Sequence, residues 1–402
     1  MAESQENSFL DETRHVKMPP VCHMTRRLSR RAFIASAGAA LLAPSVVAQQ
    51  RPASATRRLL QLNAYPINAE TPLDLLTTYL TPNDVFFIRH HWNPVVPDRK
   101  QWALTIDGGV ARPLKLTIDD LRKMPRAVRT CVLQCAGNGR SLHRPIVPGM
   151  QWAHGAVGNA RWTGVAVADL LDRAGVNAEA KHLHTSGGDN PPGKVPPFHR
   201  SIDLKKALED CIVAYEMNGE PLPELHGGPA RLVVPGWTAN HWMKWLARLS
   251  PQPQAQTGFY MDTAYRYPKN PGQPGAPVKP EDTDPVTELF VKSTITQSPQ
   301  QAKLGSALKI AGIAFSGAPD IAQVDISDDD GATWTAATLD RQHDPYAWRL
   351  WSMSYSPKRA GTIKLVARAT DSRGRVQPRD AVWNPSGYLH NGWHAVDIEV
   401  TG

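Results

Sequence analysis

The segment RTCVLQCAGNGRSLHRP, residues Arg129–Pro145, contains two of the four cysteines of this 402-residue chain. Its apolar first half predicts a buried strand that breaks at Gly137. On an extended strand, Cys131 and Cys135 point to the same side but lie too far apart to form a disulfide. We therefore expect Cys131 to be an ordinary buried residue. Cys135 stands where the strand becomes a loop, and we expect it to have a separate role.

Cys135 is followed by a loop that is rich in glycine and positive charge. Glycines there would let the backbone approach a ligand closely, and Arg140 and Arg129 would favour the thiolate form of the side chain. A thiolate in such a loop is either a nucleophile or a soft metal ligand. The nucleophile would need a histidine base, and no pattern marks His143, the nearest in sequence, for that role.

The composition restricts the class of partner. The length predicts two or more domains, and 41% hydrophobic residues are enough for a sizeable core. The formal net charge is +8, and the basic residues are dispersed along the chain outside the N-terminal region. Dispersed positive charge argues against a nucleic-acid partner and favours small anionic substrates or cofactors.

Residues 1–48 have the features of a twin-arginine signal peptide. Arg30-Arg31 precede a short apolar stretch, Ala35–Val47, and Val46-Val47-Ala48 form a plausible cleavage site. The apolar stretch is too short to span a bilayer. We therefore expect periplasmic localisation, with export in the folded state by the twin-arginine route and no stable membrane anchor. This route favours a protein with an inserted metal cofactor.

The remaining cysteines limit the metal chemistry. Cys131, Cys135 and Cys211 follow the predicted signal peptide, and their odd number leaves at least one thiol free or bound to a ligand. The sequence contains no CxxC pair, which excludes a four-cysteine zinc site, and no CxxCH motif, which excludes a covalently attached c-type haem.

The order of predicted elements indicates an α+β protein of two domains. Over residues 49–283, short strands alternate with scattered helices. VFFIRHH, Val85–His91, predicts a buried strand that carries Arg89 and His91 to its end. Amphipathic spacing predicts helices near residues 117–124, 165–176 and 201–210, the last with Ser201 as its N-cap.

The second predicted domain spans residues 284–402. It follows a connector rich in proline and glycine, Tyr267–Pro285. Short alternating runs then recur at intervals of about ten residues with turn residues between them, which is typical of a β-sandwich. Gly331 is predicted to supply the positive φ of one hairpin turn.

Several segments together resemble the sulfite oxidase family of molybdopterin enzymes. They occur in the family's order over roughly residues 60–402, and they are FFIRHH, VLQCAGNGR, SGGDN, HGGPARLVVPGW, TAYRYP and WNPSGYLHNGWH. The resemblance implies a mixed α/β molybdopterin-binding domain followed by an immunoglobulin-like β-sandwich dimerisation domain, and hence a homodimer.

The resemblance also implies roles for particular residues. Cys135 would be the protein thiolate on molybdenum. Arg89, Tyr265 and Arg140 would face the substrate anion. The pterin and its phosphate would be held by His91, Asp189, His226, Arg231 and Lys244. The implied reaction is oxygen-atom transfer that oxidises sulfite to sulfate.

Two departures from the vertebrate members affect the expected function. Those members carry a haem domain and this chain contains none, so electrons would leave singly to an external c-type cytochrome, as in bacterial sulfite dehydrogenases. Those members also have a substrate-binding arginine where this chain has Ser386. The alternatives are therefore a sulfane dehydrogenase subunit of a thiosulfate-oxidising complex and a catalytically silent member of the fold. A third alternative is the periplasmic methionine-sulfoxide reductase branch of the family. That branch lacks the C-terminal sandwich, so the predicted second domain argues against it.

Overall fold

The computed structural model describes residues 59–92, 96–188 and 191–402. The predicted signal peptide, residues 1–48, and the predicted cofactor ligand Asp189 lie outside these ranges. The strands within them are β1 (Leu60–Ala64), β2 (Ile67–Glu70), β3 (Leu104–Ile106), β4 (Leu114–Leu116), β5 (Ala127–Gln134), β6 (Val157–Ala166), β7 (His182–Gly187), β8 (His199–Asp203), β9 (Ile212–Met217), β10 (Glu220–Pro221), β11 (Arg231–Val233), β12 (Leu246–Gln252), β13 (Arg266–Pro268), β14 (Thr283–Pro285), β15 (Lys292–Gln297), β16 (Gln301–Lys303), β17 (Leu308–Phe315), β18 (Ile321–Ser327), β19 (Thr335–Ala336), β20 (Thr338–Leu339), β21 (Arg349–Tyr355), β22 (Gly361–Asp371) and β23 (His394–Thr401). The helices are α1 (Ile118–Arg122), α2 (Val167–Ala174) and α3 (Leu204–Glu209).

An antiparallel sheet and a mixed sheet form most of the first part of the chain. One has the strand order β10-β9-β6-β5, with β11 also paired to β9. The other has the order β4-β3-β12-β7-β8, in which β12 and β3 run parallel. A common core between these sheets and the helices contains the fully buried indoles of Trp152, Trp162 and Trp242. Large aromatic side chains bury much apolar area each, and they stabilise the packing of these short strands and helices.

The three helices lie close to the predicted positions. Thr117 and Asp120 form a capping box at the start of α1, and α2 ends at Gly175 with a φ of 71°. The predicted cap of α3 is wrong. Ser201 still belongs to β8, where it pairs with His184, so Asp203 caps the helix instead and accepts a hydrogen bond from the Lys205 amide.

The predicted strand at Val85–His91 is also wrong. Asn83–Val85 form a turn of 3-10 helix, and only Ile88 pairs with another extended segment, at Ala69. Beyond this bridge the buried Asn68 side chain takes the place of a partner strand, because its Oδ1 accepts the His90 amide at 2.9 Å. An amide side chain thus replaces the ladder bond and leaves the segment free to turn.

The C-terminal part is the predicted β-sandwich. Its two sheets have the orders β15-β17-β21-β20 and β16-β23-β22-β18-β19. Alternate side chains from both sheets pack between them, including Ile310 and Ile363. Gly331, with a φ of 92°, lies in the β18–β19 turn as predicted. The α+β prediction with a C-terminal sandwich is therefore confirmed.

The sandwich also contacts the edge of β5, the strand that leads to Cys135. The Val132 amide donates to the Tyr346 carbonyl at 2.9 Å. Beside this bond, Val132 and the fully buried Trp348 belong to one apolar cluster that joins both parts of the chain. The strand edge is therefore covered by the sandwich and not by solvent. No helix in the described ranges combines the length and apolar character needed to cross a lipid bilayer.

We predict that Trp348→Ala lowers the free energy of unfolding by about 3–5 kcal/mol, because it leaves a cavity in the shared cluster. Urea denaturation, followed by fluorescence and far-UV circular dichroism, should show a single transition in which the sandwich and the first part of the chain unfold together. The half-buried Trp334 provides the control, and Trp334→Ala should cost less. Two separated transitions, with only one of them shifted by Trp348→Ala, would contradict this coupling.

Candidate active site

A cavity of about 760 Å³ opens where β5 ends. Its walls are mostly apolar and aromatic, and its polar lining contains positively charged and imidazole side chains but no described carboxylate. The polar residues that line it are Arg89, His90, His91, Cys135, His226, Arg231, Asn240, Lys244 and Tyr265.

Cys135 is buried in the wall of this cavity, directly after β5. Its amide donates to the Ala156 carbonyl at 2.9 Å, which fixes the end of the strand. The glycines that follow have a different role from the predicted one. A Cβ at Gly137 would lie within 2.8 Å of the Arg140 guanidinium, and Gly139 has a φ of 91° and packs against His390. They make room for protein side chains and not for a ligand.

Arg89, His90 and His91 all line the cavity. Because the segment is not part of a regular strand, its side chains do not alternate between two faces, and His90 joins the two predicted residues. Asn68 fixes the segment by accepting from the His90 amide and, at 3.3 Å, from Arg89 Nη1. Burial, and then the charge of Lys244, lowers the pKa of His90 to about 3.

His91 and Tyr265 share a hydrogen bond of 2.7 Å between Nε2 and the phenolic oxygen. Burial, and then the charge of Arg89, holds the pKa of His91 well below its usual value, whereas burial raises the pKa of Tyr265. A neutral imidazole therefore faces a protonated phenol. Tyr265 has a φ of 57°, and the Val286 amide holds it there by donating to its carbonyl at 2.8 Å. Such backbone strain in a non-glycine residue is typical of functional sites.

His226, Arg231 and Lys244 form another part of the lining. Burial, and then the charge of Lys244, lowers the pKa of His226 to about 3. Lys244 Nζ donates to the Leu225 carbonyl at 3.0 Å and lies 4.6 Å from the centre of the Trp245 ring. This arrangement places a positive charge beside the cavity.

Arg231 is more restricted than the sequence suggests. Its Nη1 and Nη2 already donate to the carbonyls of His226 and Trp242, at 2.8 and 3.1 Å. Its Nε is buried without a hydrogen-bond partner in the part of the chain that the structure describes. Burial lowers the pKa of Arg231 to about 9. The guanidinium therefore offers Nε and its charge to a ligand, and not the bidentate pair of donors expected of a phosphate-binding arginine.

Arg140 is not among the residues that line the cavity, and its expected contact with the substrate anion stays a prediction. Its Nε donates to the Ser386 carbonyl at 2.9 Å and its Nη1 to the Met150 carbonyl at 3.0 Å. The guanidinium lies behind the wall, 5.3 Å from the centre of the Tyr388 ring. Arg129 is also far from the thiol, at the opposite end of β5, where it donates to the Asp210 carbonyl.

The other two cysteines in the described ranges are buried and form no disulfide. Cys131 and Cys211 are free thiols, as is Cys135. Burial raises the pKa of both Cys131 and Cys211, so neither is poised as a thiolate. The prediction that Cys131 and Cys135 form no disulfide is confirmed.

The cavity fits a metal-bearing cofactor with negative charge. It combines one thiol with the cations Arg89, Arg231 and Lys244, and the residues of its described lining include no carboxylate. Buried donors there still lack partners among the described atoms, namely Arg231 Nε and Trp92 Nε1. Soft metals favour thiolate ligands, and phosphate groups favour arginine and lysine. The fold and the cavity therefore define a protein that binds an anionic metal cofactor.

Comparisons with known proteins agree with this class. Residues 90–260 match the family model of the oxidoreductase molybdopterin binding domain, and residues 283–401 match that of the Mo-co oxidoreductase dimerisation domain. Sulfite oxidase from Arabidopsis thaliana is 33% identical over 89% of this chain and 97% of its own length. Human mitochondrial sulfite oxidase is 37% identical over 84% of this chain, but the match spans only 65% of the human protein.

One solved structure has the same fold at 30% identity. It is the sulfane dehydrogenase SoxCD from Paracoccus pantotrophus, with a TM-score of 0.73 over 84% of this chain and 85% of the matched chain. The present chain belongs to the sulfite oxidase family of molybdopterin enzymes. Its cofactor is molybdenum–molybdopterin.

We predict that Tyr265→Phe weakens binding of the substrate anion about tenfold, because it removes the hydroxyl that His91 orients in the cavity. Steady-state kinetics should show a higher KM at unchanged molybdenum content. Tyr267→Phe is the matched control, since Tyr267 lies two residues away, outside the cavity lining, and contacts Phe290. Equal KM values for the wild type and both variants would contradict a role of the Tyr265 hydroxyl.

Proposed function

We propose that this protein oxidises sulfite to sulfate in the periplasm and passes the electrons singly to an external c-type cytochrome. The observation that carries the proposal is the Cys135 thiol in a cavity lined by cations without a described carboxylate. Membership of the sulfite oxidase family supports the substrate class. The sequence pattern in residues 1–48 supports export, and the match to a dimerisation domain supports a homodimer.

The side chains around the cavity have distinct tasks in this reaction. When bound, the molybdenum–molybdopterin cofactor supplies the oxygen-atom transfer and accepts the electrons. Cys135 would provide the protein thiolate. His226, Arg231 and Lys244 would hold the pterin phosphate by charge, with Arg231 restricted to its Nε.

Arg89 and Tyr265 would bind the sulfite anion. The hydrogen bond with His91 fixes the position of the Tyr265 hydroxyl. In the tautomer whose proton is on His91 Nε2, the imidazole donates to the phenolic oxygen and the phenol can donate to the substrate. The low pKa of His91 keeps its imidazole neutral near pH 7, and the phenol keeps its proton. The aromatic walls exclude bulk water and thereby strengthen the charge interactions inside the cavity. Overall, each sulfite gains one oxygen from water and releases two electrons and two protons.

A second candidate is the oxidation of sulfane sulfur as a subunit of a larger complex. The similarity to the sulfane dehydrogenase structure favours it, as does Ser386, because this position offers no side-chain charge to a small dianion. Assays with sulfite and with carrier-bound sulfane sulfur, each with ferricyanide and with cytochrome c as acceptor, separate the two. Turnover of sulfite by the isolated protein supports our proposal, whereas activity only on carrier-bound sulfane sulfur favours the second candidate. A purified protein without molybdenum would indicate a silent member of the fold.

We predict that Cys135→Ser abolishes sulfite turnover and leaves the pterin content largely unchanged, since the charged side chains that hold the pterin remain. Pterin is measured by fluorescence after oxidation, and turnover by ferricyanide reduction. Cys131→Ala is the control, because Cys131 is a buried thiol of β5, the strand that leads to Cys135, and lies outside the cavity lining. It should lose stability but keep its activity. Full activity of Cys135→Ser would disprove the assignment of the metal ligand.

A further inference from the structure

Arg200 is a buried cation that the described structure leaves without a countercharge. It lies in β8 and is 1% exposed. Its Nε and Nη1 have no hydrogen-bond partner among the described residues, and its Nη2 has only His241 Nε2, at 3.2 Å. His241 Nε2 also lies 2.9 Å from the Val286 carbonyl, so the two contacts compete for one imidazole nitrogen.

Other arginines of this protein show how such charges are normally compensated. Arg349 is largely buried, and its Nη1 lies 3.0 Å from an oxygen of Asp320. Arg375 contacts the fully buried Asp371 at 2.7 Å. A cation removed from water is strongly unfavourable without such a partner. The negative charge that compensates Arg200 is therefore expected to arrive with a ligand.

The position of Arg200 indicates which ligand this is. Its guanidinium lies 5.5 Å from the centre of the Tyr265 ring. Tyr265 in turn stacks on Tyr388, with 5.3 Å between the ring centres and 16° between the planes, and Arg140 lies against Tyr388. We call these four side chains, Arg200, Tyr265, Tyr388 and Arg140, the arginine–tyrosine stack. Tyr265 is the member that lines the cavity.

The stack supplies positive charge where the side chain at position 386 supplies none. Arg140 donates to the backbone carbonyl of Ser386 and is directed away from the cavity. Arg200 extends from β8 to Tyr265, at the other end of the stack from Arg140. Phe198, directly before β8, lines the cavity. In a site with little water, a positive charge that is separated from an anion by one aromatic ring still stabilises the anion substantially.

We propose that Arg200 is a positioning residue for a doubly charged oxyanion, acting through Tyr265. This inference rests on the proposed function and deepens it, since it assigns the preference for a small dianion to a residue outside the cavity lining. Arg200 holds the Tyr265 ring by a cation–π contact and adds its charge to that of Arg89.

The test compares Arg200→Met and Arg200→Lys in the molybdenum-loaded enzyme. Arg200→Met should raise the KM for sulfite about tenfold or more, with a smaller change in kcat, and should raise the inhibition constant of sulfate to a similar extent. Arg200→Lys should recover part of the loss, since it restores the charge. The exposed Lys205 provides the matched control, because Lys205→Met removes the same charge from the adjoining helix and should leave both constants unchanged.

Two results would overturn the inference. One is an unchanged KM and sulfate inhibition constant in Arg200→Met at full molybdenum content. The other is an equal loss in Arg200→Lys and Arg200→Met that follows a lower melting temperature, which indicates a purely structural role. Should Arg200→Met fail to fold, Arg200→Gln takes its place as the neutral variant, and the same comparison with Arg200→Lys at wild-type molybdenum content decides.

Calorimetric titration with sulfate separates this inference from the proposed function. If the wild type binds sulfate at least tenfold more tightly than Arg200→Met but does not oxidise sulfite, the positioning role stands and the proposed function fails. If the wild type oxidises sulfite and both proteins bind sulfate equally, only the role of Arg200 is disproved.

Discussion

Positive charge that is enclosed around the Cys135 thiol is the constraint on which the rest of the structure depends. Arg89 and Arg231 line one cavity, and its described lining contains no carboxylate. Enclosed charge of one sign destabilises a folded protein until an opposite charge binds. A ligand that binds only the native state then contributes its binding free energy to stability. The fold therefore favours an anionic cofactor, and the cofactor in turn should stabilise the fold.

The sandwich takes part in the site as well as in the expected dimer. It covers the edge of β5 through the bond from Val132 to Tyr346 and the packing of Trp348. The Leu389 amide donates at 2.8 Å to the carbonyl of Ala136, the residue directly after Cys135. Tyr388 then stacks on Tyr265. The loop after Cys135 and the Tyr265 side chain thus both rely on residues from beyond position 284, which explains why the two parts unite in one compact unit.

Much of the fold could be predicted from the sequence because its signals are local. Alternating residues and turn glycines predicted the sandwich, and helical spacing predicted α1 and α2. The motifs also identified residues that the structure brings to one cavity, including Cys135, His91 and Tyr265. Their roles in catalysis stay predictions until they are tested.

The errors arose where a tertiary contact overrides a local pattern. His90 was missed because alternation was assumed for a segment that the Asn68 side chain holds outside any sheet. Arg140 was assigned to the anion because of its place in a motif, and the sequence did not show that its guanidinium donates to the carbonyls of Ser386 and Met150. Arg200 belongs to no motif, and its importance follows only from the packing of β8 against Tyr265.

X-ray absorption spectroscopy at the molybdenum edge tests the central claim most directly, because it reports the atoms bound to the metal without requiring turnover. We expect the purified protein to contain molybdenum with one sulfur ligand more than the pterin dithiolene supplies, and this additional sulfur should disappear when Cys135 is replaced with serine. A protein without molybdenum, or a sulfur coordination that is unchanged by the replacement, would contradict the account.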